Sequence, residues 1–172
     1  MKEIELKFLD INVEDILLRL EAYGAKKQFS QDVHDTLFEA EGYSPRGAKG
    51  FKTMRVRSIG EQVVITHKKP IPGKYKSVEE TEILVQSSHE EAVQLITQLG
   101  FTRSREYHKH RQHFVAENAH FEIDEFEGLP AYLEVETTSE EMMKEVCEQF
   151  GLEISQGRPE SAMFIYPEYF GR

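Results

Sequence analysis

The sequence predicts an α+β fold: about eight strands in a curved or closed sheet, with amphipathic helices packed outside it. Three observations lead there. Segments alternating charged and apolar residues recur along the chain at strand period. Three segments of helical period begin at a capping residue and end at a glycine. The alternating segments also put charges of one sign at i and i+2, opposite an apolar face that the helices can cover.

Residues 2–9 open the pattern, with Ile4, Leu6 and Phe8 on one face and Glu3, Glu5 and Lys7 on the other. Asn12, with Asp15 three residues on, predicts an N-cap. The helix that follows has Val13, Ile16, Leu17 and Leu20 on its apolar side and Gly24 as its stop. A second strand is predicted over 34–40. Residues 42–50 contain three glycines, a proline and a serine and read as a flexible loop. Strands are predicted over 51–58 and 62–68, a turn over 70–73, and a strand over 76–85. Ser88 with Glu91 forms a capping box, and Gly100 closes the second helix. Two strands follow, over 105–115 and 120–126, and another over 131–137. Thr138 with Glu141 resembles a further capping box for a helix ending near Gly151. The last segment, from about Pro159, predicts a short helix packing Met163, Phe164 and Tyr166. No linker divides the 172 residues, so a single domain over 1–172 is expected.

Composition narrows the function classes. The net charge of −10 argues against general nucleic-acid binding, which needs a basic footprint. No apolar run approaches the roughly 18 residues that would span a bilayer. The start of the chain does not read as a signal peptide, so a cytoplasmic protein with no membrane partner is expected. The lone Cys147 excludes an internal disulfide and a Cys-based zinc site. Charge is unevenly spread: residues 46–76 hold nine Lys/Arg and one acid, while residues 122–168 hold thirteen acids and two bases.

The polar strand faces carry the chemistry. They offer Glu3, Glu5 and Lys7; then Arg55 and Arg57; Lys68; Lys76, Glu80 and Glu82; Lys109, Arg111 and His113; Glu122 and Asp124; and Glu134 and Glu136. Any one such face is ordinarily solvated. Taken together they repeat same-sign pairs and have few of the Ser, Thr, Asn and Gln that solvated faces carry. If the helices cover the apolar face, the charged face points inward. A closed sheet of about eight strands encloses room for one small ligand. Charges there must meet opposite charges, metal ions or water. Clustered carboxylates suit Mg²⁺ or Mn²⁺, and paired Arg and Lys suit phosphate oxygens. Together they are the layout for phosphoryl chemistry.

With these residues in view, the chain resembles the CYTH superfamily, the triphosphate tunnel metalloenzymes. Glu3-Ile4-Glu5-Leu6-Lys7 matches the ExExK signature. In chain order, Arg55 and Arg57, Lys68, Glu80 and Glu82, Lys109 and Arg111, Asp124, and Glu134-Val135-Glu136 match the family's basic and acidic sets. The resemblance implies a closed eight-stranded antiparallel β-barrel, a tunnel, binding a triphosphate and one or two Mg²⁺ or Mn²⁺ ions. By similarity the metal set is Glu3, Glu5, Glu80, Glu82, Asp124, Glu134 and Glu136. The substrate set is Arg55, Arg57, Lys68, Lys76, Lys109 and Arg111, and the catalytic set is Glu5, Lys7 and Glu136. Leu129-Pro130 departs from the family's Leu-Gly and implies a changed loop.

Other residues are given less weight. His108, His110 and His113 divide between the faces of one strand, which favours ordinary strand surface over a histidine metal site; His113 shares a face with Arg111, within reach of phosphate. The 42–50 loop lacks the GxxxxGK[ST] of a P-loop and reads as a lid, with Arg46 and Lys49 reaching ligand. Cys147 is expected to pack. The leading expectation is metal-dependent hydrolysis of a triphosphate, with inorganic triphosphate the default and thiamine triphosphate or ATP the other substrates. The alternative is class IV adenylyl cyclase chemistry, converting ATP to cyclic AMP and pyrophosphate. A non-catalytic polyphosphate or nucleotide-binding module and a solvated interaction module rank below both. Homodimers are common among similar proteins.

Overall fold

The structure is a computed structural model and describes residues 4–44, 51–71 and 77–170. Its elements, in order, are β1 (Ile4–Phe8), α1 (Val13–Tyr23), β2 (Lys26–Glu39), β3 (Thr53–Ile59), β4 (Gln62–Ile71), β5 (Ser77–Val85) and α2 (His89–Gln98). Then come β6 (Thr102–Val115), β7 (His120–Glu125), β8 (Tyr132–Thr137), α3 (Glu140–Phe150), a 3₁₀ turn (Ile154–Gln156), α4 (Ala162–Ile165) and α5 (Pro167–Phe170). The predicted eight strands and three amphipathic helices are present.

The strands form one eight-stranded sheet in the order β1-β8-β7-β6-β2-β3-β4-β5. This corrects the expected closed barrel. β1 and β5 are the two ends of the order, and among the described residues no ladder joins them. At β1 the reason is local. All five of its residues pair with β8, and on its other edge Lys7 forms a bridge with Arg158. The Lys7 amide donates to the Arg158 carbonyl and the Arg158 amide to the Lys7 carbonyl, both at 2.9 Å. Gly157 permits this approach, because a Cβ there would lie 2.9 Å from the Leu6 side chain.

The chain divides into two compact units. Unit 1 comprises Met1–Gln31 and Lys109–Glu160; unit 2 comprises Asp32–His108 and Ser161–Arg172. β2 and β6 contribute residues to both. In unit 1, α1 and α3 cover the apolar face of β1, β8, β7 and β6 through Leu20, Phe121, Leu133, Val135, Met143 and Val146. In unit 2, Ala92, Val93 and Ile96 of α2 pack on Phe38, Val56 and Val63. In each unit the helices lie on the apolar face, as the patterning requires. Among the described residues no helix is long and apolar enough to cross a membrane.

The caps follow the sequence with one shift. The Asn12 side chain accepts from the Asp15 amide, and Ser88 and Glu91 form the reciprocal box. α3, however, is capped by Ser139, which accepts from the Met142 amide, and not by Thr138. Ser139 is the residue with extended backbone immediately before the first helical turn. β2 begins at Lys26, eight residues before the predicted start, because the polar 26–32 stretch has no apolar alternation to reveal it. Pro70 continues β4 opposite Val78 instead of opening a turn. Met163 is buried as expected, but Phe164 is 47% exposed.

Leu20 is fully buried in the unit 1 core. Leu20→Ala is expected to lower the unfolding free energy by about 2–5 kcal/mol, read as a reduced urea midpoint at unchanged slope.

Candidate functional site

Unit 1 places its charged residues by strand register. Glu5 pairs with Glu136 and Lys7 with Glu134 across β1 and β8. Glu122 pairs with Glu134, and Asp124 with Tyr132, across β7 and β8. Arg111 stands opposite Asp124, and His113 opposite Glu122, across β6 and β7. Period 2 keeps all of these on the face away from α1 and α3.

Asp124 is completely buried. Its Oδ1 accepts from Arg111 Nε at 2.6 Å; its Oδ2 accepts from Arg111 Nη2 at 2.6 Å, Lys109 Nζ at 2.7 Å and Tyr132 Oη at 2.8 Å. Burial alone would push its carboxyl up, but Arg111 and Lys109 hold it far below the usual carboxylate range. Arg111 also pairs with Glu122 and lies 3.9 Å from Glu134. Burial and then the charges of Asp124 and Glu134 raise Tyr132, so its phenol stays protonated and donates.

Lys7 sits between two acids, 2.7 Å from Glu134 and 3.5 Å from Glu5. Burial opposes ionisation of Glu134, yet Lys7 and Arg111 bring its pKa to about 2. Among the described residues of unit 1, five carboxylates (Glu5, Glu122, Asp124, Glu134 and Glu136) therefore share a face with three cationic side chains (Lys7, Lys109 and Arg111). Oxygens of Glu5, Glu134 and Glu136 all lie within 4.8 Å of one another, as do those of Glu122, Asp124 and Glu134. An oxygen-rich set with negative charge in surplus fits a hard divalent cation such as Mg²⁺ or Mn²⁺. Of the two groups, Glu5, Glu134 and Glu136 suit it better, because the Asp124 oxygens already accept from four donor atoms of three residues.

Unit 2 has its own charged face. Arg57 is held by Asp35 through two hydrogen bonds, 2.7 and 2.9 Å. Lys68 pairs with Glu80 at 2.7 Å, and Lys68 and Arg55 together lower the Glu80 pKa against the effect of burial. Arg55 is held more loosely. Asp35, Glu82 and Glu80 lie 3.7, 3.6 and 3.8 Å from its guanidinium, and Thr66 Oγ1 accepts from its Nη2 at 3.3 Å. Its Nε is buried without a hydrogen-bond acceptor. A buried donor lacking an acceptor suits an oxygen supplied by a ligand.

A family model described as the CYTH domain matches residues 1–162. The chain belongs to the CYTH family. Among solved structures, this CYTH domain is similar to the PH1012 protein of Pyrococcus horikoshii at 29% identity, covering 92% of this chain and 96% of that one, with a TM-score of 0.77. A Vibrio parahaemolyticus protein described as a candidate adenylate cyclase shares 18% identity over 97% and 98% of the two chains, with a TM-score of 0.76. HpAC1 from Hippeastrum, a candidate adenylyl cyclase described as having a dominant triphosphatase activity, shares 19% over 98% and 96%, with a TM-score of 0.60. The last two likenesses show the fold. No curated protein matches the chain.

Of the residues expected at the site, the CYTH domain gathers Glu5, Lys7, Lys109, Arg111, Asp124, Glu134 and Glu136 in unit 1, and Arg55, Arg57, Lys68, Glu80 and Glu82 in unit 2. Glu3, Lys76, Arg46 and Lys49 lie outside the described residues. Glu122, expected on the charged strand face though not assigned a role, stands there in unit 1 with Tyr132, and Asp35 stands on the charged face of unit 2; neither Tyr132 nor Asp35 was expected. Glu122 and Tyr132 carry a signal, since they share parity with Asp124 and Glu134. Asp35 does not, because its place opposite Arg57 is set by register alone. His113 has a buried Nε2 with no partner, and burial lowers its pKa, favouring the neutral ring.

Asp124→Asn leaves two buried cations without their shared carboxylate. It is expected to lower stability by about 3–5 kcal/mol in urea unfolding. Glu134 also makes metal-free stability acid-sensitive. Its folded pKa is depressed, so its contribution is present above the ordinary value near 4.5 and is lost as pH falls toward about 2. Unfolding midpoints measured from pH 5 downward should fall less steeply in Glu134→Gln.

Proposed function

We propose that this chain is a divalent-metal-dependent phosphohydrolase acting on a triphosphate, with inorganic triphosphate its default substrate. The observation that carries the proposal is the unit 1 face, where five carboxylates outnumber three bases and three carboxylates converge. A pure anion binder has no use for that surplus, which counts against a non-catalytic polyphosphate or nucleotide-binding module. CYTH membership supports the remaining parts of the reading: one domain over 1–172 and cytoplasmic placement.

Glu5, Glu134 and Glu136 are the principal metal ligands, with Glu3, Glu80, Glu82 and Asp124 completing the set the family resemblance implies. When bound, Mg²⁺ or Mn²⁺ supplies Lewis-acid polarisation of a phosphoryl oxygen and a lowered pKa for water. Lys7 balances the charges of Glu5 and Glu134 and lowers the pKa of Glu134. Arg55, whose Nε lies 3.7 Å from Asp35 but has no hydrogen-bond acceptor among the described residues, is the principal phosphate contact. Lys68 is part-exposed and can exchange Glu80 for phosphate. Arg57, Lys109 and Arg111 are tied to Asp35 and Asp124, so they contribute positive potential more than open donors. Lys76 belongs to the same substrate set by family resemblance.

Cyclisation of ATP by a class IV adenylyl cyclase would use the same residues, and one similar structure is described as an adenylate cyclase candidate. Hydrolysis ranks first because no described set of residues marks a pocket for adenine and ribose.

A panel of inorganic triphosphate, thiamine triphosphate and ATP, each with Mg²⁺ and with Mn²⁺, separates these readings. Orthophosphate release from triphosphate is expected; cyclic AMP with pyrophosphate from ATP would replace hydrolysis by cyclisation. Glu5→Gln and Glu136→Gln should each lower kcat by at least about a hundredfold, an estimate from the weight of metal and electrostatic stabilisation. Arg55→Ala should raise KM at least about tenfold, the scale of a charge-assisted contact.

A further inference from the structure

The opposite face of unit 2, which carries α2, brings three histidines together with a carboxylate. His34 comes from β2, Glu106 and His108 from β6, and His89 from the first turn of α2. Donor atoms of His34, Glu106 and His108 lie within 4.8 Å of one another. His34 Nε2 is 2.5 Å from Glu106 Oε1. The His34 ring stacks on His89 at 3.8 Å and 14°, and on His108 at 4.1 Å and 19°. Two parallel rings at such distances must flank it, so His34 is held in a sandwich.

We propose that His34, Glu106 and His108 form a binding site for a first-row transition-metal dication of the zinc class, separate from the carboxylate set in unit 1. The donor chemistry decides the ion. Two imidazoles and one carboxylate suit Zn²⁺ and its neighbours, whereas Mg²⁺ prefers oxygen throughout. Three protein ligands on a part-exposed face leave a fourth position for water.

The surrounding groups orient this set. His89 is not a ligand, because both its nitrogens are engaged: Nε2 with Thr36 Oγ1 at 2.8 Å and Nδ1 with Ser58 Oγ at 2.6 Å. It therefore fixes the plane of the His34 ring. Arg103 donates to Glu106 Oε2 at 2.5 Å, which leaves Oε1 turned toward His34. Glu90, 3.8 Å from Arg103, shares that positive charge.

In the metal-free geometry His34 Nε2 donates to Glu106 Oε1. A tetrahedral ion with ligand bonds of about 2.0–2.1 Å separates its ligands by about 3.3 Å. His34 and Glu106 are closer than this, so they must open slightly. The ion takes the place of the proton between them, and the neutral His34 ring then carries its one proton on Nδ1. His108 must also tilt out of its stack so that its lone pair converges with that of His34. Its exposure on the surface of β6 leaves room to do so.

The test is calorimetric titration of the full chain with Zn²⁺ in excess Mg²⁺, for wild type, His108→Ala, His34→Gln and Glu136→Gln. Co²⁺ absorption reports the coordination geometry in parallel. The expected result is one Zn²⁺ bound in wild type and in Glu136→Gln, with affinity roughly tenfold or more weaker in His108→Ala and in His34→Gln. His108 is exposed and its removal should not disturb folding, which circular dichroism checks. Unchanged Zn²⁺ affinity in His108→Ala overturns the site. So does loss of Zn²⁺ binding in Glu136→Gln alone, which would assign the ion to the carboxylates.

Discussion

Asp124 is a carboxylate with no access to water, and the charged face of unit 1 is arranged around it. An ionised group in that position persists only if its lone pairs are taken by positive or polar donors. Lys109, Arg111 and Tyr132 supply them, and Arg111 reaches on toward Glu122 and Glu134. Lys7 does the corresponding work for Glu134 and Glu5. The bases of unit 1 are thus committed to holding acids in their ionised state. What remains after that pairing is negative charge, concentrated where Glu5, Glu134 and Glu136 converge.

Unit 2 solves the same problem with a different residue balance. Asp35, Glu80 and Glu82 face Arg55, Arg57 and Lys68, so acids and bases are equal in number. Asp35 is fully buried and fixes Arg57. Arg55 is surrounded by acids without being saturated by them, which keeps a donor in reserve for an oxygen ligand. The two units therefore differ in what they are short of. One lacks positive charge, and the other has a guanidinium N–H without an acceptor.

Much of this was legible in the sequence because period 2 fixes which side chains share a face before any pairing is known. Glu5 with Lys7, Arg55 with Arg57 and Glu134 with Glu136 could be assigned from parity alone, and the caps at Asn12 and Ser88 from residue type and spacing. Register was not legible. It decides that Asp35 meets Arg57 and that Asp124 takes both Lys109 and Arg111, and nothing in the local sequence encodes it. The polar start of β2 was missed for want of alternation. The closed barrel was implied by the family resemblance, yet Lys7 on the free edge of β1 pairs with Arg158. The histidine cluster escaped because its members come from β2, α2 and β6, and spacing within one strand cannot reveal a set spread over three elements.

The proposed chemistry requires the surplus of carboxylates in unit 1 to be a cation site. Electron paramagnetic resonance of Mn²⁺ tests that directly, since the free ion's signal is lost on binding and free and bound ion can be counted without any substrate. Saturable loss of signal in wild type, with affinity sharply reduced in Glu5→Gln and in Glu136→Gln, is the predicted result. Equal Mn²⁺ binding in all three proteins would contradict it.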